Sequence, residues 1–291
     1  MITPFIFTVV FYLVLLGLAF KNRANVRLEG FEIEEGDFIG KRKSQWVGKK
    51  IPFLFMFPSK KMYGIITGFS KKFTKLGRLV GAVGVFVMIL FAIWGSYLLI
   101  SLAINSLSAP KEFVANPDNR VVVFLPGFGL PLISGSIALI SALFVHEMFH
   151  AWVGISYGYK VKQTGVGILL IFPLAYVEFD QEKEMFKSPP PHYIKFILAG
   201  VFGNVLLAAV LLLVGMFLVS GELIRLGITL NLILAIINSF PIFGITDGMH
   251  AINGLISKFI PTFEKRQGLL GYVAFFGTMV FLVPIMISLL L

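Results

Sequence analysis

The amino-acid sequence predicts an all-α polytopic membrane protein with about six transmembrane helices and a small membrane-embedded β-element. Of the 291 residues, 57% are hydrophobic and only 14% are charged, with a mean hydropathy of +0.89. Soluble domains carry roughly one quarter charged residues. The apolar residues are gathered into runs of about 20, the length that spans the hydrocarbon core of a bilayer. One further apolar segment, residues 165–179, is short and broken by Pro173, which indicates something other than a spanning helix.

Six segments are long and apolar enough to cross the membrane. The first, residues 1–20, has no basic residue before it and no small-residue cleavage site, so we interpret it as a membrane anchor. The other five form a predicted catalytic membrane domain over residues 79–291, with spans at 79–104, 133–158, 194–219, 223–247 and 269–291. Residues 121–132 are apolar but short and rich in Pro and Gly, which predicts a re-entrant or strand-like segment that is buried in protein or lines a wet cavity.

Between the first two spans, residues 21–78 form a basic loop that holds 14 of the 25 Lys and Arg residues. In a membrane protein, a formal charge of +10 reflects the excess of Lys and Arg that sets the topology, and it favours contact with anionic lipid. It does not indicate nucleic-acid binding. Residues 60–78 mix lysine pairs with aromatic and aliphatic residues. Two interpretations stay open for them: an interfacial helix lying on anionic headgroups, or a solvated basic linker.

The basic residues predict which way the chain crosses the membrane. With the 21–78 loop in the cytoplasm, 22 of the 25 Lys and Arg residues lie on the cytoplasmic side, and the opposite side holds only Lys111, Arg120 and Arg225. Both termini are then expected outside a multi-pass protein of the cell membrane. The 133–158 helix enters from outside, so His150 lies about 12 Å from its cytoplasmic end.

The segment Phe144-Val145-His146-Glu147-Met148-Phe149-His150 carries the chemistry. On a helix, His146 and His150 are one turn apart on the same face and can bind one Zn²⁺ per chain. Glu147 beside them can take a proton from water at the metal. Buried unpaired His and Glu are costly in lipid, which argues against a chance occurrence. The sequence therefore predicts a metal site inside the bilayer, nearer the cytoplasm.

Catalytic zinc usually has three protein ligands, often two His and a carboxylate. Asp247 reaches about the same depth as the histidines, and a charge there needs a partner. It is either the third ligand or an Asp that caps the next helix at the surface. His250, three residues later, would close the site as a fourth ligand, so we expect an interfacial or packing role for it.

Three motifs in this order resemble the site-2 proteases, zinc metalloproteases that cut transmembrane helices of other proteins. They are the intramembrane His-Glu-x-x-His, the Gly200-x-x-x-Asn204 sequence, and Asn238-x-x-Pro241 followed by Asp247-Gly248; together they cover about residues 121–252. The resemblance implies that His146, His150 and Asp247 bind zinc and that Glu147 is the general base. It also implies that Asn204 and Asn238 assist near the substrate or oxyanion.

Within the same resemblance, the 165–179 segment is the β-element against which a substrate strand lies. Its Phe172-Pro173-Leu174-Ala175-Tyr176-Val177-Glu178 resembles the archaeal and eukaryotic branch. The family usually has four residues between the Pro and the Asp, whereas five lie between Pro241 and Asp247. Only about a dozen residues separate Asp180 from Ile194, too few for the PDZ domain of many bacterial members.

The sequence thus predicts an intramembrane zinc metalloprotease that cleaves single-span membrane proteins in regulated intramembrane proteolysis. One alternative is a membrane zinc protease of the prenyl-protein-processing kind, which usually takes a Glu as its third ligand, here Glu178. Another is a non-catalytic metal-binding membrane protein, such as a transporter or scaffold.

Overall fold

The computed structural model describes residues 54–108, 125–127, 129–169, 172–180, 182–242 and 246–290, together with residues 10 and 13. The elements in chain order are β1 (Leu54–Pro58), α1 (Lys60–Lys72), α2 (Thr74–Ser108), β2 (Leu125–Pro126), β3 (Gly129–Leu130), α3 (Leu132–Ser156), β4 (Val161–Leu169), β5 (Phe172–Phe179), α4 (Glu182–Lys187), α5 (Tyr193–Ile197), α6 (Ala199–Phe217), α7 (Glu222–Ser239), α8 (Asp247–Ile256) and α9 (Phe263–Leu290).

The predicted fold class, mostly helical with a small sheet, is confirmed. Among the described residues, five helical segments are long and apolar enough to cross a membrane: Thr74–Asn105, Leu132–Ser156, Tyr193–Phe217, Glu222–Ser239 and Phe263–Val283. The predicted span at 1–20 and most of the basic loop at 21–78 lie outside the described residues; only residues 10 and 13 of that span are placed, both helical.

Helix α3 lies at the centre of the bundle, where it packs against α2, α6 and α7. Helices α2 and α9 pack against each other. Only 17% of the most apolar stretch of α2 and 22% of that of α9 is buried inside the protein. Their outward faces carry large apolar side chains, as expected of helices that contact lipid. The interior instead holds polar side chains, among them the fully buried Asn204 and Asn231.

A three-stranded antiparallel sheet in the order β1-β4-β5 packs beside α3. The predicted β-element at 165–179 covers the second half of β4 and all of β5, which form a hairpin. Strand β1, from the end of the basic loop, extends this hairpin by pairing residues 54–58 with 165–169. In the predicted re-entrant segment, β2 and β3 form a short parallel pair just before α3, while residues 121–124 and 128 are not described.

The helix expected at 223–247 ends at Ser239, and Asp247 starts a new helix, α8. Pro241 explains the break, because a proline disfavours helical backbone at the residue before it. Phe240 accordingly has an extended backbone, with φ −96° and ψ 148°. Helix α7 therefore ends here, and α8 begins beside its last residue, because Gly248 lies against the Ser239 carbonyl.

Candidate metal centre

Helix α3 brings two imidazoles to the same point. It is an uninterrupted apolar helix without proline, so residues four apart stack on one face. His146 is 6% exposed and His150 is 7% exposed. Their Nε2 atoms are 3.0 Å apart, and the ring planes meet at 84°. Both Nε2 atoms can therefore bind one ion.

Hydrogen bonds on the far side of each ring fix which nitrogen is available. His146 Nδ1 lies 2.7 Å from Asn204 Oδ1, and His150 Nδ1 lies 2.9 Å from the Phe196 carbonyl oxygen. Both partners are acceptors, so each Nδ1 carries the proton and donates it, and each Nε2 keeps a lone pair. Two lone pairs facing each other at 3.0 Å repel unless a cation lies between them. Such outer hydrogen bonds are the usual support of metal-binding histidines.

Asp247 completes the cluster from the first turn of α8. Its Oδ2 is 3.2 Å from His146 Nε2, and its Oδ1 is 3.3 Å from His150 Nε2. The carboxylate is 9% exposed, and Oδ2 is one of the few buried side-chain atoms in the described part of the chain without a hydrogen-bond partner. A charged oxygen left without a partner in this environment is costly, which makes it a candidate metal ligand.

The three separations fit a tetrahedral ion. Zinc binds His nitrogen and carboxylate oxygen at roughly 2.0–2.2 Å, so two ligand atoms of a tetrahedral site lie about 3.3 Å apart. The three distances observed between ligand atoms are 3.0, 3.2 and 3.3 Å. Among the residues that the structure describes, these three side chains form the one group of His, Cys, Asp or Glu with the geometry to bind a metal. The donors present therefore fit zinc.

Asp247 is held in place by the chain that surrounds it. The Thr246 hydroxyl donates to the Phe240 carbonyl and accepts from the Ile242 N–H at 3.1 Å, which ties the turn after α7 together. A Cβ on Gly248 would lie 2.6 Å from the Ser239 carbonyl oxygen, so the start of α8 can approach α7 this closely only with glycine. The extra residue in the predicted motif falls near residues 243–245, outside the described residues.

Gly200 gives the cluster its room on the α6 side. A Cβ at this position would lie 2.4 Å from His150 Nε2 and 2.7 Å from His146 Nε2. Any side chain here would occupy the space in front of both nitrogen atoms. The Gly-x-x-x-Asn sequence thus serves two purposes: the glycine leaves space over the imidazoles, and Asn204 one turn later supports His146.

Glu147 lies between the histidines and the sheet. Its carboxylate lies near the Val177 backbone N–H on β5. This contact shows how β5 is oriented, because backbone groups of successive residues face opposite edges of a strand. Pro173, Ala175 and Val177 are alternate residues of β5, so their backbone groups face the same edge of the strand. Pro173 has no N–H, which suits an edge that pairs with no strand, and β5 is the outer strand of the sheet in the described part of the chain. Their backbone groups therefore face the edge of β5 that lies nearest Glu147.

The two predicted asparagines are placed differently. Asn204 is fully buried, accepts from His146, and donates to the Ala142 carbonyl at 3.0 Å and to Asn231 Oδ1 at 2.8 Å. Asn238 is half-buried and donates to the Leu234 carbonyl of its own helix at 3.1 Å. The structure thus brings Asn204 to the cluster, whereas Asn238 makes its hydrogen bond within α7.

Two supporting groups were not identified from the sequence. Asn231, fully buried on α7, orients Asn204 and donates to the Gly227 carbonyl at 2.7 Å. The sequence did contain a signal that could have identified it, namely a polar side chain in the middle of an apolar span. The Phe196 carbonyl carried no such signal, because every residue has one and only the fold decides which one meets His150.

His250 takes a packing position. Its Nδ1 and the Tyr193 hydroxyl are hydrogen-bonded at 2.8 Å, and its ring meets Phe186 edge-on at 5.1 Å. Burial lowers the pKa of His250 to about 4, so the ring is neutral at physiological pH. Glu178, the alternative third ligand, instead accepts hydrogen bonds from Lys162 and Gln163 on β4.

A buried His-His-Asp cluster among five apolar helices defines an integral membrane protein with the ligand set of a metalloenzyme. Comparison with known proteins finds a family match: residues 134–225 match the model of peptidase family M50, the site-2 protease family. This is a family of metallopeptidases. The predicted resemblance is thereby confirmed.

One curated relative is an uncharacterized protein of Methanocaldococcus jannaschii. The two are 37% identical over 111 residues, which is 37% of this chain and 29% of the relative. The chain therefore matches less than a third of the length of that relative. No solved structure matches the chain.

Proposed function

We propose that this protein is an intramembrane zinc metalloprotease that hydrolyses peptide bonds within transmembrane segments of single-span membrane proteins, in regulated intramembrane proteolysis. The observation that carries the proposal is the convergence of two Nε2 atoms from α3 and a carboxylate from α8 at the mutual spacing of tetrahedral ligands. The match to peptidase family M50 supports the same reaction class.

His146, His150 and Asp247 would hold the zinc. When bound there, zinc acts as a Lewis acid and makes water reactive at neutral pH. Glu147 follows His146 directly in the sequence and takes the proton of the attacking water, then passes it to the leaving amine. Asn204 keeps the His146 ring in its tautomer through the 2.7 Å hydrogen bond.

Asn238 is the other polar helper in this proposal. It lies in the last turn of α7, directly before the turn that leads to Asp247. In the proposal its amide turns from the Leu234 carbonyl toward a developing oxyanion when substrate is present.

The substrate strand would lie along β5. A transmembrane helix protects its own backbone, so it must unwind before a carbonyl can be attacked, and in lipid the freed N–H and C=O groups need new partners. The outward edge of β5, at Ala175 and Val177, offers such partners next to Glu147. Binding and the general base thus meet at one strand.

Two alternatives are weaker on this geometry. The prenyl-protein-processing kind would need Glu178 as its third ligand, and that carboxylate lies on β5 in contact with Lys162 and Gln163. A transporter or scaffold would not need Glu147 beside a strand edge. Asp247 is the carboxylate that the fold brings to the imidazoles.

The decisive experiment uses the purified protein in proteoliposomes with a panel of single-span peptides. The Glu147→Gln protein should bind one zinc per chain, as the wild type does, and cleave none of the peptides. The Asp247→Ala protein should lose both zinc and cleavage. A Glu147→Gln protein that still cleaves would overturn the assignment of the base.

Glu222→Gln is the matched control. Glu222 begins α7 at the opposite end of the bundle, where it accepts from Ser134 at 2.9 Å. Removing this charge should leave zinc content and cleavage unchanged. Stoichiometric zinc in a wild-type protein that cleaves no peptide would favour the non-catalytic alternative.

A further inference from the structure

Helix α1 lies across the end of a membrane-spanning helix. Its buried residues Ile66 and Ser70 face the protein, and Ile66 belongs to the cluster of apolar side chains around Trp152 on α3. Phe69 meets the Trp152 ring edge-on at 5.0 Å, and Trp152 Nε1 donates to the Phe73 carbonyl at 3.1 Å. Helix α1 is therefore fixed to the last turns of α3, which ends at Ser156.

The level of α1 along the bundle is that of the membrane boundary. Arg78 Nε, at the start of α2, donates to the Ser156 carbonyl at 2.9 Å, so one spanning helix begins where another ends. Arg78 and Lys195 both lie over the Tyr157 ring, at 6.0 and 5.8 Å. Aromatic rings with basic partners at the ends of spanning helices are typical of the headgroup layer.

One face of α1 is apolar, exposed and bordered by lysine. Ile65 is 57% exposed and Phe69 is 39% exposed. At about 100° per residue, these two side chains and those of Lys61 and Lys72 share an arc of roughly 80°. This arc lies next to the buried face but outside it. Exposed apolar side chains with lysines at their edge are the pattern of a helix that lies in the plane of a membrane.

The charge around this face is of one sign. Between residues 54 and 108 there is no Asp or Glu, and the cations are Lys60, Lys61, Lys71, Lys72, Lys75 and Arg78. All six are exposed. A basic surface at headgroup level attracts anionic lipid, and long lysine stems let the ammonium groups reach the phosphates while the helix stays lower.

We propose that α1 lies in the membrane plane and binds the anionic headgroups of the bilayer that the protein spans, with Ile65 and Phe69 at the acyl boundary. The occupant is lipid because the exposed face combines apolar side chains with unopposed positive charge at the membrane boundary. This contact would also steady the sheet: the Ser59 N–H donates to the Thr164 carbonyl at 2.9 Å, and β1 directly before it pairs with β4. The binding itself does not depend on the proposed protease activity.

The test uses the 291-residue protein in single-copy nanodiscs of neutral phosphatidylcholine with about one third phosphatidylglycerol, which gives the bilayer a negative surface potential. The chain has no cysteine, so a nitroxide on Ile65→Cys reports one position. We expect that label to be accessible to oxygen and shielded from a water-soluble nickel reagent. The same label on Lys71→Cys, on the other side of the helix, should show the reverse.

A second measurement follows lipid selectivity with spin-labelled phosphatidylglycerol and phosphatidylcholine. The Lys61→Gln, Lys72→Gln double variant should lower the preference for the anionic lipid about twofold or more. The control is Lys258→Gln with Lys265→Gln, an equal loss of charge at exposed positions away from α1. Both measurements are repeated on the Glu147→Gln protein. Label accessibility and lipid selectivity should be the same as in the wild type, because lipid binding does not require proteolysis.

The outcomes are distinct. A label at position 65 that is as accessible to nickel as one at position 71, with unchanged lipid selectivity, overturns the proposal. The proposal is also overturned if position 65 is shielded only when two copies share a disc, because the face would then bind a second copy. Oxygen exposure at position 65 together with the twofold loss supports it.

Discussion

At the scale of single residues, the cluster is organised from behind the imidazoles. Asn204 and the Phe196 carbonyl each accept an Nδ1 proton, so both Nε2 lone pairs point at the place where Asp247 also arrives. Asn231 in turn accepts from the Asn204 amide and so sets which end of Asn204 faces the ring. A chain of hydrogen bonds from α7 through α6 thus decides the tautomer of His146 on α3.

The first prediction concerns Asn204. Replacing it by Ala removes the acceptor for His146 Nδ1, so the ring is free to rotate and to change tautomer. Loss of such an outer contact typically costs 10–100-fold in metal affinity. We expect a loss of that size when zinc is competed against a chelator of known affinity.

Asn231→Ala is the graded control for this prediction. Asn231 touches His146 only through Asn204, so its replacement should weaken zinc binding less. Wild-type zinc affinity in the Asn204→Ala protein would show that the hydrogen bond does not orient the ligand.

The second prediction concerns Gly200. An Ala here would put a methyl group 2.4 Å from His150 Nε2, a distance that forces the imidazole or α6 to move. We expect the Gly200→Ala protein to lose stoichiometric zinc while its circular dichroism stays helical. The metal content of the purified protein is the measurement.

Gly271→Ala is the matched control for Gly200. Gly271 lies in α9, and a Cβ there meets nothing within 4 Å. The change from Gly to Ala inside a helix is favourable by up to roughly 1 kcal/mol. Full zinc content in Gly200→Ala would mean that the space in front of the histidines is not needed.

At this scale, the sequence predicted those residues of the cluster whose positions depend on local spacing. His150 is four positions after His146, a spacing that places both rings on one face of any helix. Asp247 was predicted from a resemblance between motifs, because it lies 97 positions after His150 and no local rule spans that distance. Thr246, whose hydroxyl ties the turn after α7 together, was missed for the same reason.

At the scale of elements, Arg266 joins four segments at the end of the bundle where α9 begins. It is fully buried, and its guanidinium donates to Asn253 Oδ1 at 2.8 Å, to the Ile260 and Pro261 carbonyls at 3.1 and 2.6 Å, and to the Lys187 carbonyl. The Asn253 amide in turn donates to the Phe186 carbonyl at 2.7 Å. Helix α8, which carries Asp247, is thereby tied to α4 and α9.

The third prediction is that Arg266→Met destabilises the protein. The buried Asn253 Oδ1 and three partly buried carbonyl oxygens would lose their donor, and a buried acceptor left unpaired costs about 1–3 kcal/mol. We expect a clear fall in the thermal unfolding midpoint in detergent. Lys265→Met, an exposed neighbour on the same helix, removes the same charge and should shift the midpoint little. Equal midpoints for the two variants would show that the Arg266 contacts do not hold these helices together.

Helices and strands could be predicted from the sequence where a single local property, such as hydropathy or a proline, determines them. Runs of apolar residues predicted the five described spanning helices because length and hydropathy suffice in a membrane. The end of α7 at Ser239 depends on Pro241, whose effect reaches back to Phe240. Strand β1 was not predictable, because residues 54–58 pair with residues more than 100 positions later.

At the scale of the whole molecule, the chain places apolar side chains outward and polar side chains inward. Phe217 and Tyr97 are exposed on spanning helices, whereas the interior holds Asn204, Asn231 and the His-His-Asp cluster. In water this arrangement would expose a large apolar surface, but in lipid it is the stable one, since polar groups in the membrane need partners inside the protein. The buried polar chain is therefore both the support of the site and part of the bundle interior.

The fourth prediction concerns the orientation of this bundle. The excess of Lys and Arg in segments 21–78, 157–195 and 251–268 predicts that these lie in the cytoplasm, with the metal cluster nearer that side. Single cysteines at two exposed positions can test it, because the chain has none of its own. In intact cells, a membrane-impermeant maleimide should label Ser220→Cys, between α6 and α7, and should label Lys258→Cys only after the membrane is opened. The reverse pattern would place the basic segments outside, and the cluster would then be reached from the cell exterior.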